Sequence, residues 1–388
     1  MAPEEYVPPA PPPESARSDA HALHHRTELT RTYPCSRCGG ELQFDIGRQK
    51  LSCPHCGNVE ELREVEGREV EPKRDLRTAM RELRRRSDQE GPQLEGQKEV
   101  VCQNCGGHTT FTGTLTATRC PYCATPIQRD DVHDAPTRLP VDGVLPFQID
   151  EKSANKALKD WISSRWFAPS EFKTYSRTGS FTSIYAAYFS YDADVVTRYS
   201  GQRGDNYTVT VGSGENQRTE VRTRWRHVSG RVQNNFVDVT VLANEGFDRK
   251  HVAELEPWPM NFVQPFSPEF VAGHLSRTYD HDVEESFVEA SERMDAEIEW
   301  TVRSDIGGDH QRIFQKDSTF RSLTFAHLLL PIWLLTVIYE GRPFQVFING
   351  ATGEVHGQRP WSKVKITAAV IAALIVAAIV FFVYRSSS

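Results

Sequence analysis

The longest apolar stretch of the chain is Ile366 to Val383, which contains no charged side chain and a single polar residue, Thr367. A helix that is apolar on every face either lies fully inside a protein core or crosses a membrane. About twenty apolar residues are enough to span the hydrocarbon layer of a bilayer. The pattern therefore predicts one transmembrane helix over residues 366–384 and a tail-anchored protein.

Apolar residues that recur every three or four positions predict two amphipathic helices. In the first, Asp150 is the expected N-cap and Pro169 the expected end. Its apolar face comprises Ala154, Ala157, Leu158, Trp161, Ile162 and Trp166. The second covers residues 281–304, with an apolar stripe of Val283, Phe287, Ala290 and Met294. Residues 267–277 have similar spacing and are also expected to be helical.

Alternating apolar and polar positions predict strands between Ser183 and about Ala243. The alternating segments are Tyr207–Val211, Glu220–Val228 and Val232–Leu242, with a turn at Gly212–Asn216. A later strand is expected at Pro343–Ile348, ending in the turn Asn349-Gly350. These segments are typical of an antiparallel meander.

A second apolar stretch, Leu323 to Tyr339, is interrupted by His327 and Pro331. It is short and broken for a membrane span, so a strand is the favoured interpretation and a second transmembrane pass is the alternative. Helices and strands together predict an α+β domain with an antiparallel sheet over residues 143–360.

The rest of the chain is polar. Residues 1–31 are rich in proline and predict a disordered arm. Residues 61–99 form a charged connector in which 73–86 carry seven basic and two acidic residues. Within it, Leu76, Ala79, Met80 and Leu83 fall at helical spacing. A solvated linker helix and a surface for an anionic partner, nucleic acid or acidic lipid, both fit this pattern.

Composition narrows the class of protein. The chain has 388 residues, enough for two or three domains, and a net charge of −7, which gives no overall attraction to nucleic acid. The N-terminal stretch lacks the apolar region of a secretory signal. We therefore expect the eight cysteines to lie in a reducing cytosol, where metal binding is commoner than disulfide formation.

The cysteines form two sets with the same spacing. Each set is a Cys-x-x-Cys pair, a gap of fourteen residues and a Cys-Pro-x-Cys pair, and the two sets are offset by 67 residues. Gly39-Gly40 and Phe44 recur at the same offset, which indicates a duplicated module. The expected metal ligands are Cys35, Cys38, Cys53 and Cys56 in the first set and Cys102, Cys105, Cys120 and Cys123 in the second.

This spacing is typical of zinc ribbons, because two hairpin knuckles bring four thiolates around one ion. A complete shell of four protein sulfurs has no open position, so two structural zinc ions are expected rather than catalytic ones. The predicted ribbons cover residues 32–60 and 100–128. Disulfides and an iron–sulfur cluster are the alternatives, and the first of these requires an oxidising compartment.

One further group of residues contains side chains that could bind a metal or transfer protons. Asp305, Asp309 and His310 lie within six positions of one another and suit a metal or acid–base site. The intervening Gly307-Gly308 also suits an ordinary turn, which is the favoured interpretation.

Several longer strings indicate a family. They are CPHCG (53–57), CPYCATPI (120–127), GVLPFQI (143–149), SSRWFAPSEF (163–172), WRHVSG (225–230), DIGGDHQRI (305–313) and the stretch from His327 to Ser362. With these strings the chain resembles, over roughly residues 33–365, bacterial membrane-tethered TFIIB-type zinc-ribbon proteins. Genes for these proteins lie beside those for SPFH-domain and phage-shock proteins. Where that family has Pro-Tyr-Trp, this chain has Ala187-Tyr188-Phe189.

Arg359, Lys363 and Lys365 precede the predicted span, and this excess of positive charge predicts that the zinc ribbons lie on the cytoplasmic face of the inner membrane. The resemblance implies a membrane-anchored adaptor, and no catalytic group of residues stands out, so a non-enzymatic role is expected. The resemblance also implies SPFH or phage-shock partners during envelope stress, and zinc ligation by all eight cysteines. Some members are labelled primosomal protein N′ (replication factor Y) or helicase. The chain has no Gly-x-x-x-x-Gly-Lys-Ser/Thr loop to bind phosphates, so no ATPase activity is expected. The alternatives are a membrane-tethered nucleic-acid binder and an enzyme centred on Asp305, Asp309 and His310.

Overall fold

The structure is a computed structural model, and it describes eleven segments of the chain. These are residues 28–29, 33–62, 69–89, 97–101, 108–112, 115–119, 126–128, 139–169, 181–212, 217–339 and 342–387. Within them the chain forms an α+β fold with mixed, mainly antiparallel sheets.

The strands are short in the N-terminal third and long in the middle of the chain. They are β1 (Glu28–Leu29), β2 (Gln43–Asp45), β3 (Lys50–Ser52), β4 (Val59–Glu60), β5 (Arg74–Asp75), β6 (Gln97–Val101), β7 (His108–Thr112), β8 (Leu115–Arg119), β9 (Pro126–Gln128), β10 (Gly143–Val144), β11 (Phe181–Val211), β12 (Arg218–Leu242), β13 (Gln264–Pro265), β14 (Leu275–Arg277), β15 (His310–Tyr339), β16 (Arg342–Asn349) and β17 (Val355–Gly357). The α-helices are α1 (Leu76–Gln89), α2 (Glu151–Ser163), α3 (Arg249–Ala253), α4 (Val283–Ile306) and α5 (Lys363–Ser387).

The centre of the main sheet is the antiparallel pair β11 and β15, which runs from Phe181 opposite Leu335 to Gly204 opposite His310. On the side away from β15, the start of β11 pairs with β14 and the rest of β11 pairs with β12. The other edge of β15 pairs with β16, β10 and β5 in turn. Different stretches of the same two strands therefore bind different neighbours.

The sheet extends outside residues 143–360. Strand β8, from the second cysteine repeat, pairs with β14, and β5, from the connector, pairs with β15. The pairs β10–β15 and β11–β14 are parallel, so the expected antiparallel sheet is in fact mixed.

Helix α4 covers one face of β11 and β12. Asp282 and Glu285 form a capping box at its start, and Gly307, with φ of 65°, ends it. The residues buried on its inner face are Val283, Ser286, Ala290, Met294, Ile298, Val302 and Ile306. This confirms the predicted helix and three of its four stripe residues as buried; Phe287 is half-buried.

Helix α2 starts as predicted but ends early. The Asp150 carboxylate accepts a hydrogen bond from the Ser153 amide at 2.8 Å, as an N-cap does. The helix stops at Ser163, where the Ser163 and Ser164 hydroxyls donate to carbonyl oxygens three residues back. The prediction that Pro169 ends it is therefore wrong, and Trp166 lies beyond the helix with 74% of its surface exposed.

The prediction of a helix over residues 267–277 is also wrong. Only Pro268–Val271 forms a short 3-10 turn, whose N-cap is Ser267. Gly273, with φ of 87°, then reverses the backbone, and Leu275–Arg277 joins the sheet. Pairing with two strands outweighs the helical spacing of the apolar residues.

The predicted strands are present but are longer and fewer. The segments expected between Ser183 and Ala243 form one hairpin, β11 and β12, and Leu323 to Tyr339 is the second half of β15. The hairpin contains a bulge where Asp238 adopts φ of 56°. Of the predicted turn Gly212–Asn216, only Gly212 lies within the described residues.

The helix expected within the basic stretch 73–86 is confirmed, and it covers Leu76–Gln89. Lys73, the first basic residue of the stretch, precedes the helix and pairs with the sheet: its Nζ lies 2.5 Å from Asp192 and 2.6 Å from Asp238 at the bulge. Arg74 pairs with Asp142 at 2.6 Å. Most of the predicted arm 1–31 is outside the described residues, but Glu28–Leu29 pairs in parallel with β6.

One described helix, α5, is long and apolar enough to cross a membrane. Its stretch Lys363–Phe381 has a mean hydropathy of 2.6 and none of it is buried against the rest of the protein. The base of the helix is attached to the segment after α2. The Ser362 amide donates to Phe167 O at 2.8 Å, and Lys365 Nζ donates to Ala168 O at 2.8 Å.

The packing of α4 is testable with a cavity-forming change. Ile298 is 1% exposed, and truncation of a buried isoleucine costs about 2–5 kcal/mol of folding free energy. Ile298→Ala is therefore expected to lower the thermal midpoint of the full-length protein in detergent by several degrees. Val288→Ala, at a position 58% exposed on the same helix, is the matched control and is expected to change little. Equal midpoints for the two variants would contradict this packing.

Candidate metal centre

The first cysteine set forms two matching knuckles. In one, the Gly39 amide donates to Cys35 O at 2.9 Å, and in the other the Gly57 amide donates to Cys53 O at 2.9 Å. Both glycines have positive φ, 70° and 72°, a conformation that side chains with a Cβ rarely adopt. Each knuckle therefore turns sharply enough to direct both of its thiols to the same point.

The strands β2 and β3 hold the two knuckles against each other. All four sulfurs of Cys35, Cys38, Cys53 and Cys56 lie within 4.8 Å of one another. The closest pairs are Cys38–Cys53 at 3.5 Å and Cys35–Cys56 at 3.7 Å. A tetrahedral ion with metal–sulfur bonds of 2.3 Å separates its sulfurs by about 3.8 Å. The spacing thus suits a four-sulfur metal shell, and it is far too long for a disulfide.

Neighbouring amides and thiols change the pKa values of Cys35 and Cys38. Burial raises the pKa of Cys35, but hydrogen bonds from the Arg37 and Cys38 amides outweigh it and hold the pKa at about 6. The Gly40 amide lowers the pKa of Cys38, whereas the Cys56 and Cys53 thiols raise it more strongly, to about 12. Four sulfurs this close cannot all become thiolates unless a cation neutralises their charge. The set is therefore suited to bind a metal ion.

The first ribbon is packed against the main sheet. Phe44 is 4% exposed, its ring centroid lies 5.3 Å from that of Phe270, and its amide donates to Ala272 O at 3.0 Å. Gln49 Nε2 donates to Phe147 O at 2.7 Å. These contacts involve residues of β2 and of the β2–β3 turn, so the same hairpin that positions the thiols also docks the ribbon.

A polar cavity of about 610 Å³ lies beside this contact. Its walls include Asp45 and Gly47 from the ribbon, together with Ser183 and Trp333 from the sheet. His274 Nδ1 lies 2.8 Å from Ser183 Oγ, and its ring stacks on Phe147 at 5.1 Å. The His274 ring also lies edge-on to Phe44 of the ribbon, with the ring centroids 6.2 Å apart, so His274 connects the ribbon to the sheet.

The second cysteine set, Cys102, Cys105, Cys120 and Cys123, lies outside the described residues. The strands that flank it are described: β6 pairs with β7, and β8 pairs with β9. Through β8 and β14, this repeat is attached to the same sheet as the first.

Asp305, Asp309 and His310 have separate roles in the structure. The Asp305 carboxylate accepts a hydrogen bond from the Tyr199 hydroxyl at 2.5 Å. The Asp309 carboxylate accepts from the Asn206 amide at 2.7 Å, and His310 opens β15 with its ring 6.2 Å from Trp225. Among the described residues, the first cysteine set is the one group of His, Cys, Asp and Glu side chains arranged to hold a metal. The geometry of residues 305–310 supports the turn interpretation.

Sequence reasoning missed the residues that receive the ribbon. Phe270 and His274 lie in a segment expected to be an isolated helix, so nothing marked them as an interface. The apolar Phe44, repeated as Phe111 in the second set, was the available clue. A large aromatic residue on a ribbon too small to bury it requires a partner surface.

Comparison with known proteins gives one informative result. The chain is 26% identical over 340 residues to the Bacillus subtilis (strain 168) protein YdjG, which is described as uncharacterized. The aligned region covers 87% of this chain and 92% of YdjG, so the similarity extends over most of both proteins. No protein-family model and no solved structure matches the chain.

The docking contact predicts that the ribbon can be released from the sheet without loss of its metal. Phe44→Ala removes the ring that packs on Phe270 and is expected to cost about 3–5 kcal/mol at this contact. We expect the metal to stay bound, while amide hydrogen exchange at residues 33–62 speeds up. Val59→Ala, at a position 38% exposed on β4, is the control and should leave exchange unchanged. Unchanged exchange in Phe44→Ala would show that the contact does not hold the ribbon, and loss of the metal would show that metal binding depends on docking.

Proposed function

We propose that this protein is a non-enzymatic, zinc-binding scaffold anchored in the cytoplasmic membrane. The observation that carries the proposal is the closed four-sulfur cluster, docked on a sheet that also bears an exposed apolar helix. A metal surrounded by four protein ligands has no position for substrate or water. Its effect is therefore to hold the two knuckles of the ribbon together.

Zinc is the ion that this donor set favours. Four thiolates in tetrahedral arrangement suit zinc or an iron–sulfur cluster. Two residues separate the cysteines within each knuckle, and a short hairpin joins the two knuckles, which is the spacing of structural zinc sites. The repeat at an offset of 67 residues supports a second zinc ion, bound by Cys102, Cys105, Cys120 and Cys123.

The charge around α5 supports an orientation. Arg359, Lys363 and Lys365 precede the apolar stretch, and only Arg385 follows it. Basic residues accumulate on the cytoplasmic side of membrane helices. At the base of the helix, Trp361 and the exposed Trp166 are placed as interfacial aromatic residues are. The orientation we propose therefore places the ribbons and the sheet in the cytoplasm.

The partners we propose are SPFH-domain or phage-shock proteins, which the scaffold holds at the membrane during envelope stress. This choice rests on the resemblance described above. A ribbon that is docked on the sheet, as the first one is, and has a saturated metal shell offers shape and hydrogen bonds to a protein partner, which is how a scaffold acts.

Affinity capture tests the scaffold role. Full-length protein is captured from detergent-solubilised membranes beside the Phe44→Ala variant, whose ribbon is displaced. We expect SPFH or phage-shock proteins to co-purify with the wild type and to be depleted with the variant. Equal recovery of the same proteins with a control membrane protein, or no partner of either kind, would count against the proposal.

The metal content gives an independent prediction. Elemental analysis of the purified wild type is expected to find two zinc ions per chain. Paired substitution of Cys35→Ser and Cys38→Ser should leave one zinc ion, and so should Cys102→Ser with Cys105→Ser, because each shell is lost separately. Iron with visible absorption, or no metal, would contradict the zinc assignment.

A further inference from the structure

The outer ends of three strands form an arginine-rich arm, which we define as residues 198–211, 218–232 and 310–321. These residues include ten Lys or Arg against three Asp or Glu, a formal charge of +7 in a chain whose net charge is −7. The rest of the chain therefore carries −14. A net-negative protein has concentrated positive charge on one extended element.

The end of the arm is a two-stranded ribbon. Strand β15 begins at His310, opposite Gly204, so beyond that point β11 pairs only with β12 among the described residues. Helix α4 ends at Ile306, whose side chain lies over Gly201. Residues 205–211 and 218–224 thus extend past both the third strand and the helix, over about 20–25 Å.

Strand alternation divides the arginines between two faces. Tyr199 contacts Asp305 of α4, so residues of β11 in phase with Tyr199, and their partners on β12, lie on the helix side. The arginines on that side are Arg203, Arg218, Arg222, Arg224 and Arg226. Those on the opposite side are Arg198, Arg231 and Arg312.

Carboxylates neutralise only part of the helix-side charge. Asp205 lies 2.8 Å from Arg203 and 3.7 Å from Arg226, so it is shared by two guanidinium groups. Glu220 is shared in the same way between Arg218 at 2.9 Å and Arg222 at 3.5 Å. With Arg224, the five arginines of this face therefore exceed its two acids by three charges.

Aromatic rings hold one guanidinium in place on each face. Arg224 Cζ lies 5.1 Å from the centroid of Tyr207 on the helix side, and Arg312 Cζ lies 3.9 Å from that of Trp225 on the other. A Cβ on Gly204 would lie 3.0 Å from the Trp225 ring, so the glycine leaves room for that ring beside the strand. A guanidinium stacked on a ring keeps its N–H edge available and loses little freedom when it binds a phosphate.

Protection of an exposed edge is the simplest alternative explanation. Charged residues on an edge strand discourage pairing with other chains, and β12 is such a strand among the described residues. Edge protection does not account for Arg198 and Arg203, because β11 is an interior strand between β12 and β15 at these positions. It also gives no reason for two arginines to be fixed on aromatic rings.

We propose that this arm binds duplex DNA through its phosphates, without sequence preference. The major groove of duplex DNA admits a two-stranded β-ribbon and has phosphates along both of its walls. The two-stranded end bears its arginines on the helix-side face, and β16 and β17, which lead into α5, pair at the opposite end of β15 from the arm. The arm and the start of α5 thus lie towards opposite ends of β15, which favours a soluble duplex over the lipid surface around α5. The inference is independent of the zinc scaffold, which could act with or without nucleic acid.

The test measures binding of zinc-loaded full-length protein in neutral detergent to a labelled 20-base-pair DNA duplex by fluorescence anisotropy over a range of salt concentrations. Each phosphate contact contributes about 0.9 to the slope of log K against log salt. The triple variant Arg222→Gln, Arg224→Gln, Arg226→Gln is expected to reduce the slope by about 2 to 3 and to weaken binding at least about tenfold at 0.1 M salt.

The matched control removes three charges elsewhere. Arg77, Arg81 and Arg85 are exposed on α1, and changing all three to glutamine is expected to leave the slope nearly unchanged. Arg224→Lys keeps the charge and loses the planar stack, so it should weaken binding less than the triple change. Circular dichroism and zinc content verify that each variant is folded.

Three results would overturn the inference. Equal losses of DNA affinity in the α1 and arm variants would show that the duplex is attracted to positive charge in general and not to the arm. Binding to vesicles of phosphatidylglycerol and phosphatidylcholine, lost in the arm variant while DNA is not bound, would assign the arm to the membrane. Absence of binding to both, with aggregation of the arm variant, would establish edge protection as the role of the arginines.

Discussion

Strands β11 and β15 pair from Phe181 to Gly204 with two bulges, and the other parts of the protein are attached at successive positions along this pair. Near its start, β14 links it to the second cysteine repeat. Further along, Lys73 of the connector bridges Asp192 and Asp238 at the hairpin bulge, and Tyr199 contacts α4. Beyond Gly204 the strands project as the arm. Loss of this pairing would separate all of these elements, so the fold depends on its two longest strands.

The metal centre adds a second constraint, which acts on the first ribbon alone. Its strands have two or three residues each and bury few side chains, so hydrophobic burial cannot hold it together. A cation that neutralises four crowded thiolates would supply that stability. The same hairpin presents Phe44 to Phe270, so the residues that hold the thiols together and those that dock the ribbon are neighbours that act through different contacts.

The sequence allowed prediction of features that depend on local patterns. The knuckles follow from glycines and cysteine spacing, the α4 stripe from its period, and α5 from unbroken apolarity. Features that depend on long-range pairing were not predictable. Leu275–Arg277 became a strand because β8 and β11 were available on either side. The arm was missed because strand alternation does not show that β11 and β12 extend beyond the start of β15.

X-ray absorption at the zinc edge of the full-length protein, purified in detergent, would test the central claim most directly. A closed structural centre predicts four sulfur neighbours at about 2.3 Å and no nitrogen or oxygen ligand. A shell with three protein ligands and one oxygen would indicate an open, reactive site, and would contradict the account of the ribbons as structural parts of a scaffold.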